Sequence, residues 1–159
     1  MTIASTLKRH LEGGGVVYEL LNHPMTGSSS ETAQSVHISG DRIAKTVVLR
    51  DGAVGDGYLL AVLPASHHLS LEMLQAWLGR SVALASEQEI GKLFPDCDLG
   101  AIPPTGEAYG LDVVLDDSLA GLDEVYFEGG DHQTLIKVGG DQFRRLMSGA
   151  RQGCFSTHD

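Results

Sequence analysis

Two apolar runs rich in β-branched residues, Ile43-Ala44-Lys45-Thr46-Val47-Val48-Leu49-Arg50 and Tyr58-Leu59-Leu60-Ala61-Val62-Leu63, flank an Asp51-Gly52 turn signal. Residues of this kind fit a pleated, half-buried surface, and Asp-Gly supplies the backbone angles of a hairpin turn, so the runs predict an antiparallel strand pair ended by Pro64. The first run contains a single internal cation. Alternation places Ile43, Lys45 and Val47 on one face and Ala44, Thr46 and Val48 on the other. A lysine so placed either guards an edge strand or faces a cleft, where low dielectric makes its charge valuable to an anionic or carbonyl-bearing ligand.

The rest of the chain mixes both periodicities. Ile3, Leu7 and Leu11 have helical spacing up to the breaker Gly13-Gly14-Gly15, and Val16 to Leu21 reads as a strand. Ser28 and Glu31 form a capping box for a short helix through His37, and Ser86 and Glu89 form a second one before Ile90 and Leu93. Between these lie a helix from Leu69 to Leu78, ended by Gly79, and a short strand Val82-Ala83-Leu84. Gly100 to Gly106 is a loop stiffened by Pro103 and Pro104. Strands follow at 112–116, 124–128 and 133–138, with a tight turn at Gly129-Gly130-Asp131 and a last helix for which Asp141 is the expected N-cap. Helices and strands without regular βαβ alternation predict an α+β fold, a mixed, curved sheet surrounded by helices. We expect one domain over 1–159, with its core at about 16–149 and a loose tail at 150–159. Trp77 is expected in the core.

Composition narrows the function. A formal net charge of −10 opposes non-specific adhesion to a phosphate backbone, and no apolar stretch approaches the ~20 residues that span a bilayer, so neither a DNA nor a membrane partner is expected. The first residues lack the order of a signal peptide, and the two isolated cysteines, Cys97 and Cys154, form no scaffold; a cytoplasmic protein fits. The seven histidines are scattered, with His67-His68 read as a surface turn, so no metal site is expected. A serine elbow and a phosphate-binding glycine loop are both missing, and no cofactor is called for. One margin is basic: Lys137, Arg144, Arg145 and Arg151 stand against Asp141 alone between 137 and 151. A solvated helix face accounts for such a cluster, and so does weak contact with a nucleic acid.

Four elements in order carry a resemblance: Ser30-Glu31-Thr32-Ala33-Gln34, the Lys45 run, Gly100-Ala101-Ile102-Pro103-Pro104, and Tyr126 to Ile136 with the Asp141 helix behind it. From about Ser28 to Met147 the chain resembles the YbaK/ProX-type aminoacyl-tRNA editing domains, relatives of the insertion domain of bacterial prolyl-tRNA synthetases. The resemblance implies a YbaK-type fold and a trans-editing deacylase that hydrolyses the ester of a mischarged tRNA in the service of translation fidelity. The carrier would be tRNA(Pro) with a small non-cognate amino acid. The partners implied are the 3′ acceptor end of aminoacyl-tRNA and prolyl-tRNA synthetase.

In that resemblance Lys45 and Gly100 fall on the family's lysine and loop glycine, and His132 borders the pocket, as three catalytic positions. A structural, hydrogen-bonded role accounts for His132 equally well. Thr46, Ile102, Pro103, Pro104, Gly129, Gly130 and Asp131 would line the substrate pocket, and Lys137, Arg144 and Arg145 would hold the acceptor stem. The expected chemistry brings the Lys45 ammonium and a Gly100 amide together around one carbonyl. The loop departs from many relatives, which carry Ser-Pro-Phe-Gly where Pro103-Pro104-Thr105-Gly106 stands here. A non-catalytic module that binds aminoacyl-tRNA or a synthetase is the alternative.

Overall fold

The computed structural model describes residues 3–24, 28–51 and 57–159, with only the backbone at 29, 30 and 35. In chain order the elements are α1 (Ser5–Gly13), β1 (Tyr18–Asn22), α2 (Ser29–Val36), β2 (Ile43–Asp51), β3 (Gly57–Pro64), β4 (His67–Leu69), α3 (Leu71–Leu78), β5 (Val82–Leu84) and α4 (Glu87–Leu93). Then come β6 (Asp112–Asp116), β7 (Glu124–Glu128), β8 (Thr134–Gly139), α5 (Gly140–Leu146), β9 (Arg151–Gly153) and β10 (Ser156–His158).

The architecture is α+β, as the sequence predicts. An eight-stranded mixed sheet runs β1-β8-β7-β2-β3-β6-β9, with β5 also paired to β2, and β4 and β10 form a separate antiparallel pair. The expected hairpin is present as β2 against β3, with Lys45 opposite Leu63 and Val47 opposite Ala61; beyond Asp51 its turn lies outside the described residues. β2 lies between β7 and β3, so Lys45 is on an interior strand and the edge-guard reading fails. Its pairing with β7 is parallel and covers only Ile43 with Tyr126 and Ala44 with Phe127. The strands then fork.

Burial on both faces explains why β3, and β2 apart from Lys45, Thr46 and its Arg50-Asp51 end, are continuously apolar rather than alternating. Ala44 and Val62 pack with Leu7, Leu11, Phe143 and Leu146 of α1 and α5, whereas Val48 and Leu60 pack with Phe94 and Ile102. Toward the other face, Ile43 packs with Ala33 of α2, and Leu49, Leu59 and Ala61 pack with Leu74 of α3 and with Phe155. Truncating a fully buried side chain such as Leu60 to alanine costs about 2–5 kcal/mol. The Ser86–Glu89 capping box forms in both directions, and at α2 the expected cap is present through Ser28 accepting from Glu31 N.

Three expectations change. α1 begins at Ser5, because Ala4 is extended and its N–H donates to Gly129 O at 2.8 Å. Asp141 is not a cap: Gly139 takes that place, since Gly140 lies so close to Leu122 that an added Cβ would stand 2.0 Å from its carbonyl oxygen, and the helix starts there. The tail is not loose. β9 pairs with β6, and Phe155, fully buried, packs on Trp77 at 5.9 Å between ring centroids. Gly153 permits this packing, because a Cβ there would lie 2.5 Å from the indole, and Arg151 stacks over the same ring at 4.7 Å. Trp77 is thus half-buried under the tail. Among the described residues, no helix is long and apolar enough to cross a membrane.

Candidate functional site

Two of the expected elements are locked to each other. The Gly129–His132 turn follows β7, and the loop carrying Gly100 follows α4; Asp98 N donates to Gly130 O at 2.7 Å, and His132 Nε2 donates to Leu99 O. Glycine is required on both sides. Gly100 has φ +84° and Gly130 φ +107°, angles that an L side chain rarely adopts. A Cβ on Gly130 would also sit 3.0 Å from Ala4 Cβ and 3.3 Å from Cys97 Sγ, while one on Gly129 would meet Ile3 Cγ2 at 2.8 Å. His132 itself has φ +60°, and donation from Nε2 leaves its Nδ1 as the acceptor nitrogen.

Asp131 builds this turn. Its Oδ1 accepts from Gln133 N at 3.0 Å and Thr134 N at 2.7 Å, and its Oδ2 accepts from Thr134 Oγ1 at 2.9 Å, so the carboxylate is engaged by its own loop. The Gly100 loop is fixed in the same way at its base by Ala101 N to Asp98 O at 3.1 Å. Gly100 itself is exposed, whereas Ala101, Ile102, Pro103 and Pro104 are buried behind it.

Thr46 sits where β2 and β7 separate; continuing the register from Ala44 and Phe127 brings it level with Gly129. It lies on the strand face that holds Ala44 and Val48, the second of which packs on Ile102. Its Oγ1 is buried without a hydrogen-bond partner among the described residues, as is Thr105 Oγ1 at the end of the proline loop. Such atoms cost free energy unless a ligand or water meets them.

Lys45 is half-buried on the opposite face of β2. Its Nζ donates to the backbone carbonyl of His67 at 2.5 Å, and burial, partly offset by Asp159, lowers its pKa from the ordinary lysine value. Among the described residues no carboxylate lies within ion-pair distance of Nζ, and its hydrogen bond is to His67 rather than to Gly100, Gly130 or His132. The structure therefore brings together the Gly100 loop, the Gly129–His132 turn and the Thr46 position, while the Lys45 head group rests at the β4 side of the fork.

One cluster carried no sequence signal. At the end of β7, Glu128 is 3% exposed and accepts from Thr32 Oγ1 at 2.8 Å, and His23 Nε2 stands 3.4 Å from its other oxygen. Burial raises the Glu128 pKa, against the opposing effect of Thr32 and His23. Glu128 follows Phe127, the last β7 residue paired with β2, so the cluster lies where the two strands part. Glu128 lies about a hundred residues beyond the segment that carries His23 and Thr32.

The basic margin is partly neutralised. Lys137 pairs with Glu124 at 3.1 Å and Glu19 at 3.8 Å, and Arg144 pairs with Asp141 at 2.5 Å and caps the carbonyls of Ala120 and Leu122. Among the described residues Arg145 donates to the Gly14 carbonyl alone, at 3.0 Å, and it is exposed. A separate cleft of about 350 Å3 between Gly106–Val113 and Leu146–Ala150 is lined by none of the expected site residues.

Residues 23–146 match the aminoacyl-tRNA editing domain family. The chain belongs to that family. Solved structures agree in fold: a hypothetical protein (22% identity, TM-score 0.82, covering 96% of this chain and 100% of the other) and a scaffold protein from epitope backbone grafting (24%, 0.81, 97% and 97%). A third is a candidate trans-editing enzyme for prolyl-tRNA synthetase (23%, 0.79, 98% and 99%). No curated protein is similar enough to match. In this editing domain the two glycine turns are tied to each other by Asp98 N to Gly130 O and by His132 to Leu99 O, and Lys45 rests on the His67 carbonyl.

Proposed function

We propose that this editing domain is a trans-acting aminoacyl-tRNA deacylase of the cytoplasm, acting on tRNA(Pro) that carries a small non-cognate amino acid such as alanine, cysteine, serine or threonine. The observation that carries the reading is the double tie between the Gly100 loop and the Gly129–His132 turn. It fixes an exposed glycine backbone to the turn that stands in register with Thr46, whose buried hydroxyl has no hydrogen-bond partner among the described residues, a rigid setting for polar recognition of an acyl group. A pre-aimed amide at Gly100 stabilises the negative charge that develops on the ester carbonyl, and one such donor is worth about 3 kcal/mol of barrier.

An aminoacyl ester is already activated, so water or a hydroxyl or thiol of the substrate itself suffices as nucleophile. His132 Nδ1, the acceptor left by the Leu99 contact, orients that nucleophile or the terminal ribose. The Lys45 ammonium, held by a carbonyl rather than a carboxylate, can exchange His67 O for the phosphate or ester oxygen of the terminal adenosine at little electrostatic cost. Thr46, Ile102, Pro103, Pro104, Gly129 and Gly130 shape the pocket.

The test is a panel of mischarged tRNAs incubated with the purified chain. Release of a small amino acid from tRNA(Pro) well above the spontaneous rate supports the reading; binding of aminoacyl-tRNA with no ester loss on any member defeats it in favour of a non-catalytic module.

A further inference from the structure

Away from the glycine turns, three side chains from distant segments converge: Asp41 from the turn after α2, His67 from β4 and His158 from β10, each offering one ligand atom, all within 4.8 Å of one another. His67 is therefore no simple surface-turn residue. It belongs to a strand and is half-buried, and its ring meets that of His158 edge-on with centroids 5.0 Å apart.

Both rings are held through their Nδ1 atoms. His67 Nδ1 donates to Ser156 Oγ at 2.8 Å, and that hydroxyl in turn donates to the buried Asp116 carboxylate at 2.8 Å. His158 Nδ1 donates to the Asp159 carbonyl at 2.9 Å. His158 Nε2 stands 2.9 Å from Asp41 Oδ1, a contact closed by the Nε2–H of a charged imidazole in the metal-free chain and replaced by two metal–ligand bonds when a cation is bound. Ser66 Oγ anchors the same Asp41 oxygen from behind. A carboxylate or hydroxyl behind the outer nitrogen of an imidazole is the arrangement that orients histidine toward a metal.

We propose that Asp41, His67 and His158 bind one divalent cation of the zinc class, with solvent at the fourth position. The two-imidazole, one-carboxylate set suits such borderline ions, and bonds of about 2.0–2.1 Å place tetrahedral ligand atoms about 3.3 Å apart, within the spread seen here after sub-ångström to ångström adjustments. The ion ties β10 to β4 and to the 40–42 turn, and so braces the His67 carbonyl on which Lys45 Nζ rests.

The chelator-stripped full chain is titrated with Zn2+ by calorimetry and with Co2+ by visible absorption. One ion per chain is expected, with a tetrahedral Co2+ spectrum and a raised Tm in Zn2+. His158→Ala and Asp41→Asn each weaken binding at least tenfold and abolish the Tm rise, whereas His10→Ala changes neither. Both substituted side chains are exposed, and melts of the metal-free variants verify that they fold. No binding, several equivalent ions, or wild-type affinity in both variants overturns the proposal.

Discussion

The Nε2–H of His132 donates to the carbonyl oxygen of Leu99, the residue before Gly100, so one imidazole joins the turn after β7 to the loop after α4. The contact spans 33 residues of sequence and acts beside a second link, from Asp98 N to Gly130 O. Removing the ring leaves the loop tied at one point, and displacement of a reacting group by about 1 Å costs on the order of 100-fold in rate. His132→Ala is therefore expected to lower deacylation by about that factor and to speed amide hydrogen exchange at Asp98 to Ile102. Unchanged exchange there would show that the imidazole does not hold the loop.

Lys45→Ala is expected to abolish most deacylation, by a hundredfold or more, while the far-UV spectrum and Tm stay close to the parent. The ammonium is half-buried without an ion pair among the described residues, so its loss removes a charge the fold does not use and frees only the His67 carbonyl. Full activity of this variant on a confirmed substrate would remove Lys45 from the mechanism.

Much of this was legible in the chain and some was not, for reasons that are local in one case and global in the other. The β2–β3 hairpin, the Ser28 and Ser86 caps and the glycine turns are short-range features written in neighbouring residues. Strand order is not, because the parallel β2–β7 and β3–β6 contacts join segments whose pairing no local pattern encodes. The same limit hid the Glu128–His23–Thr32 cluster and the meeting of Asp41, His67 and His158. The tail reads as loose because its only large apolar group after Met147 is Phe155; what fixes it is the Asp116 carboxylate and the gap over Trp77 that Gly153 leaves open.

The two cysteines should differ sharply in reactivity. Burial, together with the nearby Asp96 and Asp98 carboxylates, pushes the Cys97 thiol up to about 12, and its sulfur lies 3.3 Å from the Tyr109 hydroxyl; Cys154 is exposed. The thiolate is the nucleophile, so at pH 8 iodoacetamide should label Cys154 alone, with Cys97 joining only in denaturant. Mass spectrometry of the labelled native chain checks this, and rapid native labelling of Cys97 would contradict the packing of its sulfur against Gly130.

Asp116 should govern the stability of the C-terminal strands. Burial raises its pKa, but hydrogen bonds from Ser118, Ser156 and Phe155 outweigh it and hold the carboxyl below its ordinary value of 3.8. A depressed acid contributes stability that is present above the unfolded pKa and lost as pH falls through the folded one. Asp116→Asn is expected to cost about 2 kcal/mol at neutral pH, the range for hydrogen bonds to a charged group, and to loosen residues 153–158 to proteolysis. The difference in stability from the parent should shrink below about pH 3.8; a difference constant from pH 7 to pH 3 would mean that the charge contributes nothing.

A contact of the basic margin with the acceptor stem would be told apart from action at the acylated end by comparing whole and minimal substrates. Arg145 is exposed and among the described residues bonds the Gly14 carbonyl alone, whereas Arg144 braces the carbonyls of Ala120 and Leu122, so Arg145 is the cleaner probe. Lys137 is held by Glu124 and Glu19 and offers less charge to a phosphate. Arg145→Glu should raise KM for a whole aminoacyl-tRNA several-fold and flatten its salt dependence, because each lost phosphate contact reduces the slope of log K against log salt by about 0.7 to 0.9. A minimal aminoacyl-adenosine, which has no acceptor stem, should be cleaved as before. Lys137→Glu should have the smaller effect of the two, since the lysine is already paired. Equal losses on both substrates would mean that Arg145 acts through the fold around Gly14 rather than through the stem.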